Sequence, residues 1–372
     1  MLVDGRYGER FDIFLKIVYY FITKCNRLHY LHYRGKKMRM TIEHVAQLAK
    51  VSKATVSRVL NNSPKVTQQT RERVMEAIKK SGYYPSVTAR RLTTNKAETI
   101  GLIIPSPQDK TFGNPFYTEI LRGFTHQAKI EGYDLLLFIN EHQFNYSQLF
   151  HNRRVDGILL VGVNRNDKGI IQLSKNNFPY ILTGKIDFME ANYVDADNKG
   201  GAYQAVSYLV NLGHKRIGYL GGSFDFVFNQ ERFEGYLQVL KEHNLEYGKE
   251  LTMESINTEE SGYEAMRKLL ESSLIPTAVF VANDLDAIGA MKAVKEKGLR
   301  IPEDIAVIGF DDIQLASHIE PLLTTVRQPI YEMGITAVSL LVQLIEGKKK
   351  EPLKVILPTQ LIIRESSGGI KV

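Results

Sequence analysis

Two groups of residues carry side chains that could do chemistry. The first is Lys53, Ala54, Thr55, Ser57 and Arg58, inside TIEHVAQLAKVSKATVSRVLNN at 41–62. Cations and hydroxyls gathered on one side of a short segment suit phosphates and the edges of bases. The second is Arg232, Asn283 and Asp311, each at or just past an apolar run or at the start of a helical stretch. Guanidinium, amide and carboxylate are planar groups that pair with adjacent hydroxyls of a sugar. Phe116 and Tyr117 can stack on an apolar sugar or base face. On the residues alone, a helix cap or a salt bridge between lobes accounts better for each polar member, Asn283 above all.

Other constellations lead nowhere catalytic. Asp195 and Asp197, Asp284 and Asp286, and Asp311 and Asp312 are close in sequence. A glycosidase needs two carboxylates flanking a bond, which adjacency does not supply. GYLGGS at 218–223 matches neither a phosphate loop nor a dinucleotide fingerprint. The chain is therefore expected not to be an enzyme and to have no catalytic residue. Cys25 is its one cysteine, and nine histidines show no paired ligand spacing, His29 and His32 included. No disulfide within one chain, metal or cofactor is expected, and the setting is a reducing cytoplasm.

The first group needs two short helices and a tight turn. Ile42, Val45, Ala46, Leu48 and Ala49 form an apolar stripe on the first, Val51 plugs the turn, and Ser52 caps the second. On that second helix Val56, Val59 and Leu60 point inward and leave the cationic side outward. A third helix is expected at 68–81, capped by Thr67, burying Val74, Ala77 and Ile78, and ended by Gly82. Such a unit sets a helix into the DNA major groove; a solvated helical pair is the bland alternative. Residues 86–98 are polar and basic, either a plain linker or a helix that forms only on a surface.

The second group needs a different frame. TIGLIIP, DLLLFIN, GILLVG, YILTG, RIGYLGG, TAVFVAN and DIAVIGF are short apolar runs that alternate with amphipathic helical stretches from Thr99 onward. That alternation indicates parallel sheets covered on both faces, and its length indicates two lobes. Charge divides at the same place. Residues 1–98 hold 20 Lys and Arg against 7 Asp and Glu, and residues 99–372 hold 28 against 34. Only the head is built to meet a polyanion.

Residues 1–39 stand apart as a leader. FDIFLKIVYYFITKC is apolar but interrupted by Lys16, too short for a comfortable span and without a secretory cleavage site. It reads either as a membrane-surface or accessory DNA arm, or as a start assigned upstream of the true one at Met38 or Met40. The second account is preferred.

From about Met40 onward the chain resembles the LacI/GalR family of bacterial transcription regulators. The resemblance is carried by VSKATVSRVLN at 51–61, ARRL at 89–92, RVDGILL at 154–160, LGHKRIGYLGG at 212–222 and VIGFDD at 307–312, in that order. It implies an α/β protein: an all-α helix-turn-helix headpiece at 40–85, a hinge helix at 86–98, and a periplasmic-binding-protein-like core of doubly wound parallel sheets at 99–372. One lobe is expected at 99–196 plus 328–358, the other at 197–327 plus 359–372. The resemblance implies base reading by Lys53, Ala54 and Arg58. It implies phosphate contact or support by Thr41, Ser52, Thr55, Ser57, Asn61, Thr67 and Thr70, and hinge contacts by Tyr83, Ala89 and Leu92, with Leu92 as a minor-groove wedge. Phe116, Tyr117, Arg232, Asn283 and Asp311 match effector-contacting positions.

The expected partners are a double-stranded DNA operator, a small-molecule effector and a second copy in a homodimer, with no membrane. NPFY at 114–117, TGK at 183–185 and INTEESG at 256–262 are similar to the maltose-regulon branch, so maltose or a maltodextrin is expected, with Lys185 near it. A purine, a phosphoprotein corepressor, or a sugar-binding protein without DNA function are the alternatives. Departures from the family pattern are the leader, Ser86, a shortened stretch between Asn140 and Arg153, and Asn257 where some relatives place a stacking aromatic.

Overall fold

A computed structural model describes residues 40–60, 63–83, 96–105, 108–139, 145–165, 167–349 and 352–368. The leader, Asn61, Ser86, Ala89 and Leu92 lie outside the described residues. The chain divides into two compact units, residues 1–94 and 95–372.

The first unit has three described helices, α1 (Ile42–Leu48), α2 (Lys53–Leu60) and α3 (Gln68–Ser81). Ser52 Oγ accepts the Thr55 amide at 3.1 Å and so caps α2. Thr67 Oγ1 accepts the Thr70 amide at the head of α3, and Gly82, at φ +64°, ends it where a side chain would be strained. Val45, Ala46, Ala49, Val56, Val59, Val74 and Ala77 form the core. These side chains are small, so the helices approach closely. Leu48 departs from the expected stripe and is 57% exposed. In a helix of seven residues, α2 and α3 cover only the Val45, Ala46 and Ala49 side. Arg71 ties α3 to the end of α2, its Nη2 donating to Ser63 O at 3.0 Å.

The second unit begins with β1 (Thr99–Ile104), α4 (Gln108–Gly113), α5 (Pro115–Glu131), β2 (Asp134–Ile139), α6 (Ser147–His151), β3 (Gly157–Val161), α7 (Lys168–Lys175), β4 (Tyr180–Thr183) and β5 (Tyr193–Ala196). It continues through α8 (Asn198–Asn211), β6 (Ile217–Gly221), α9 (Val227–Glu242), β7 (Thr252–Glu254), α10 (Glu259–Leu270), β8 (Ala278–Val281), α11 (Asp284–Glu296), β9 (Ala306–Asp311) and β10 (Thr324–Arg327). It closes with α12 (Ile330–Ile345), β11 (Lys354–Leu357) and β12 (Gln360–Ile362).

The strands form two six-stranded sheets, ordered β11-β5-β4-β3-β1-β2 and β12-β10-β9-β8-β6-β7. Every pairing is parallel except β10 with β12. Helices cover both faces, as the apolar strand runs require. In the first lobe, Leu102, Leu159 and Ile181 pack on α5 and α12 through Ile120, Phe124 and Leu341. The other face, with Ile103 and Leu160, packs on Leu149 and Ile170. In the second lobe, Val279 and Val307 pack on α10 and α11, and Phe280 and Ile308 on α8 and α9. The chain passes between lobes three times: after β5, after β10, and between β11 and β12. Strand ends that face each other across these crossings make the cleft, the position where open parallel sheets bind ligands.

Candidate functional site

On the first unit, α2 presents Lys53, Ala54 and Arg58 to solvent, with Thr55 and Ser57 half-buried beside them. The Lys53 ammonium forms a salt bridge with Glu43 of α1. That bond, with a second from Thr41, holds the Glu43 carboxyl down at about 2. Thr41 is exposed, and its amide donates to His44 Nδ1 at 3.3 Å. Thr67 Oγ1 donates to Thr70 Oγ1 at 2.9 Å. Tyr83 packs against the three-helix core. The result is a packed helical block with a cationic, hydroxyl-bearing edge.

The cleft in the second unit is lined from the first lobe by Asn114, Phe116, Tyr117, Gly162, Thr183, Gly184, Asp195 and Met333. Asn198, Phe228, Arg232, Asn257, Asn283, Asp311 and Gln328 complete it. It thus brings together Phe116, Tyr117, Arg232, Asn283 and Asp311. The rings of Phe116 and Tyr117 meet edge to face at 5.6 Å. Asn114 caps α5 by accepting the Phe116 amide at 2.9 Å, which fixes where both rings start.

Arg232, on α9, is 4% exposed. Its Nε donates to Asn198 Oδ1 at 3.0 Å, and its Nη1 donates to Ala282 O. Nη1 also lies 3.6 Å from Asp311 Oδ1. The guanidinium sits 3.8 Å over the Phe310 ring and 5.1 Å from that of Phe228. Asp311 ends β9 at φ +122° and Asp312 follows at φ +58°. Such backbone is strained for side-chain-bearing residues and persists where neighbours enforce it. Here Arg327 and Arg364 both bond to Asp312, each at 2.6 Å. Gln328 Nε2 donates to Asp311 Oδ1 at 2.6 Å. Burial pushes the Asp311 carboxyl up to about 6, while Arg232 and then Gln328 pull it back.

Asn283 serves two ends. Its Oδ1 accepts the Asp286 amide at 2.8 Å and so caps α11. Its Nδ2 donates to Asn257 Oδ1 at 2.9 Å and to Asp286. Asp286 also accepts from Ser255, Ser261 and the Thr258 amide. This pins the loop that carries Asn257, itself at φ +58°. Lys185 does not line the cleft; its ammonium pairs with Glu231 of α9. Asp195, Asn198, Phe228 and Gln328 were not singled out in sequence as cleft residues. A signal existed for two of them: DADN at 195–198 puts three polar residues at the end of a strand. Burial also raises the Asp195 carboxyl, which accepts the Lys185 and Ala196 amides and Asn198 Nδ2.

Among the described residues no helix is long and apolar enough to cross a membrane. No group of three or more His, Cys, Asp or Glu among them could hold a metal ion.

A helix-turn-helix block on one unit, and a two-lobed sheet cleft of binding-protein type on the other, define a ligand-responsive DNA-binding regulator. Comparison with known proteins agrees. Residues 41–86 match the profile of bacterial regulatory proteins, lacI family, and residues 206–367 match a periplasmic binding protein-like domain. The chain is 37% identical to the HTH-type transcriptional regulator CelR of Thermobifida fusca over 337 residues, 89% of this chain and 99% of that one. It is 36% identical to the HTH-type transcriptional repressor CytR of Escherichia coli strain K12 over 335 residues, 89% of this chain and 97% of the other. A solved CelR–cellobiose complex superposes with a TM-score of 0.70 at 36% identity, covering 88% of this chain and all of that one. The lac repressor dimer bound to operator and an anti-inducer superposes at 0.77 with 28% identity, covering 88% and 99%. The chain belongs to the lacI family of bacterial regulatory proteins.

Proposed function

We propose that this regulator is a cytoplasmic repressor of sugar-utilisation genes, released from its operator by a disaccharide of glucose. The carrying observation is the Arg232–Asp311 pair set among Asn198, Asn283 and Gln328, with Phe116, Tyr117 and Phe228 beside it. Planar polar groups take the hydroxyls of a sugar and the rings take its C–H faces. The likeness to CelR, solved with cellobiose, favours cellobiose. The motifs at 114–117, 183–185 and 256–262 favour maltose.

In this reading two copies pair through their cores and set two headpieces on two half-sites. Lys53, Ala54 and Arg58 read base edges. Thr41, Ser52, Thr55, Ser57, Asn61, Thr67 and Thr70 contact or brace against the phosphates. Tyr83, Ala89 and Leu92 serve the minor groove. The sugar changes lobe closure and thereby headpiece spacing, a coupling of roughly 1–3 kcal/mol. Thermal shift with cellobiose, maltose, galactose and guanine, paired with an operator release assay, tests it. A raised melting temperature and DNA release with one of the two glucose disaccharides is expected. Stabilisation by guanine alone, or by none of the four, overturns the effector assignment.

A further inference from the structure

Two cationic side chains bridge the lobes beside the cleft. Arg165, just past β3 in the first lobe, bonds through Nε to Asp187 of its own lobe at 3.0 Å. From there its guanidinium reaches the second lobe, donating through Nη1 to Phe224 O at 3.1 Å and through Nη2 to Gln230 Oε1. The backbone joins in: the Arg165 amide donates to Asp225 O at 3.0 Å. Lys185, past β4, makes the second bridge, its ammonium pairing with Glu231. That pair is largely shielded, with the side chains 27% and 15% exposed. The Lys185 amide is itself held by Asp195 Oδ2 at 2.9 Å.

The opposing groups fall on one turn of helix. Gln230 and Glu231 take the two cations, and the next residue, Arg232, turns into the cleft. Asp195, which anchors the Lys185 backbone, also holds the Asn198 amide that accepts from Arg232 on its other side. Arg232 therefore sits on the same helix turn that both bridges grip.

We propose that Arg165 and Lys185 form a two-point clasp that holds the lobes together at the cleft, and that Lys185 acts there rather than as an effector ligand. The clasp governs how often the cleft opens. Removing one partner of a partly desolvated ion pair strands the other charge and costs more than losing an exposed pair, and the Arg165 fork adds directed bonds. The clasp does not depend on which effector fills the cleft.

The test is hydrogen exchange of the full-length protein, since the Arg165 amide bonds across the lobes and reports closure directly. Lys185→Met and Glu231→Gln should each speed exchange at Arg165 by at least about tenfold. Exchange at Leu159, in the centre of the first sheet, should stay unchanged. The charge swap Lys185→Glu with Glu231→Lys should restore slow exchange at Arg165. Unchanged exchange at Arg165 in both single variants would overturn the clasp. So would equal acceleration at Arg165 and Leu159, which marks general destabilisation, or failure of the swap to restore protection.

Discussion

The guanidinium of Arg232 lies 3.6 Å from the carboxylate of Asp311 while stacking 3.8 Å over Phe310, the residue just before it. One strand end thus supplies both the charge and the ring that orient the arginine. Lysine in its place keeps the charge but loses the planar fork, the Nε bond to Asn198 and the stacking. Arg232→Lys should weaken sugar binding at least tenfold, about 1.4 kcal/mol or more. Isothermal titration with the active disaccharide measures it, and unchanged affinity would remove Arg232 from the site.

Asp311 links the cleft to pH. Burial holds its carboxyl at about 6, above the ordinary 3.8. A folded value raised above the unfolded one favours folding while the group is protonated in both states, below about pH 4. That contribution is lost as pH rises through about 6. Two units correspond to roughly 3 kcal/mol. Burial raises Asp195, Asp284 and Asp286 in the same direction, so part of the slope persists without Asp311. Urea unfolding of Asp311→Asn across about pH 4 to 7 should give a flatter fall than the parent. Parallel curves would contradict the raised carboxyl.

On the headpiece, Glu43 pairs with Lys53, and under the proposed base reading it competes with DNA for that ammonium. Replacing it with glutamine frees the ammonium and removes a negative charge from the edge that meets phosphate. Glu43→Gln should raise affinity for promoter fragments a few-fold, more at low salt than at high. Fluorescence anisotropy at two salt concentrations reads this, and a loss of affinity would mean that the pair positions Lys53 for reading.

Gly123 lets α5 and α12 touch backbone to backbone. A Cβ there would lie 2.3 Å from Tyr331 O. Gly123→Ala should destabilise the core by about 1–3 kcal/mol, seen as a lower denaturant midpoint for the second unit. No shift would mean that the helices slide apart freely.

The sheets were largely legible because parallel strands buried on both faces write themselves as unbroken apolar runs, as TIGLII and GILLV do. YVDA, TME, TTVR, KVIL and QLI were not singled out. They are three or four residues long, each carries at least one polar side chain, and several lie at or beside sheet edges. The cleft was half legible. Arg232 and Asp311 stand out by type, but Phe228, at the start of α9, and Gln328, just past β10, become cleft residues only when the two lobes converge. Periodicity likewise placed Leu48 in a stripe, since spacing reports a helix face and not how much of it neighbours reach.

The first lobe borrows its outer strand, β11, from residues made after the second lobe is nearly finished. A ribosome therefore cannot release a finished first lobe ahead of the second. Until residues 330–357 emerge, β5 has an unpaired edge and α5 lacks its α12 neighbour. A stop codon between residues 99 and 329 would thus spoil both lobes together, leaving the basic head attached to an unfinished cleft.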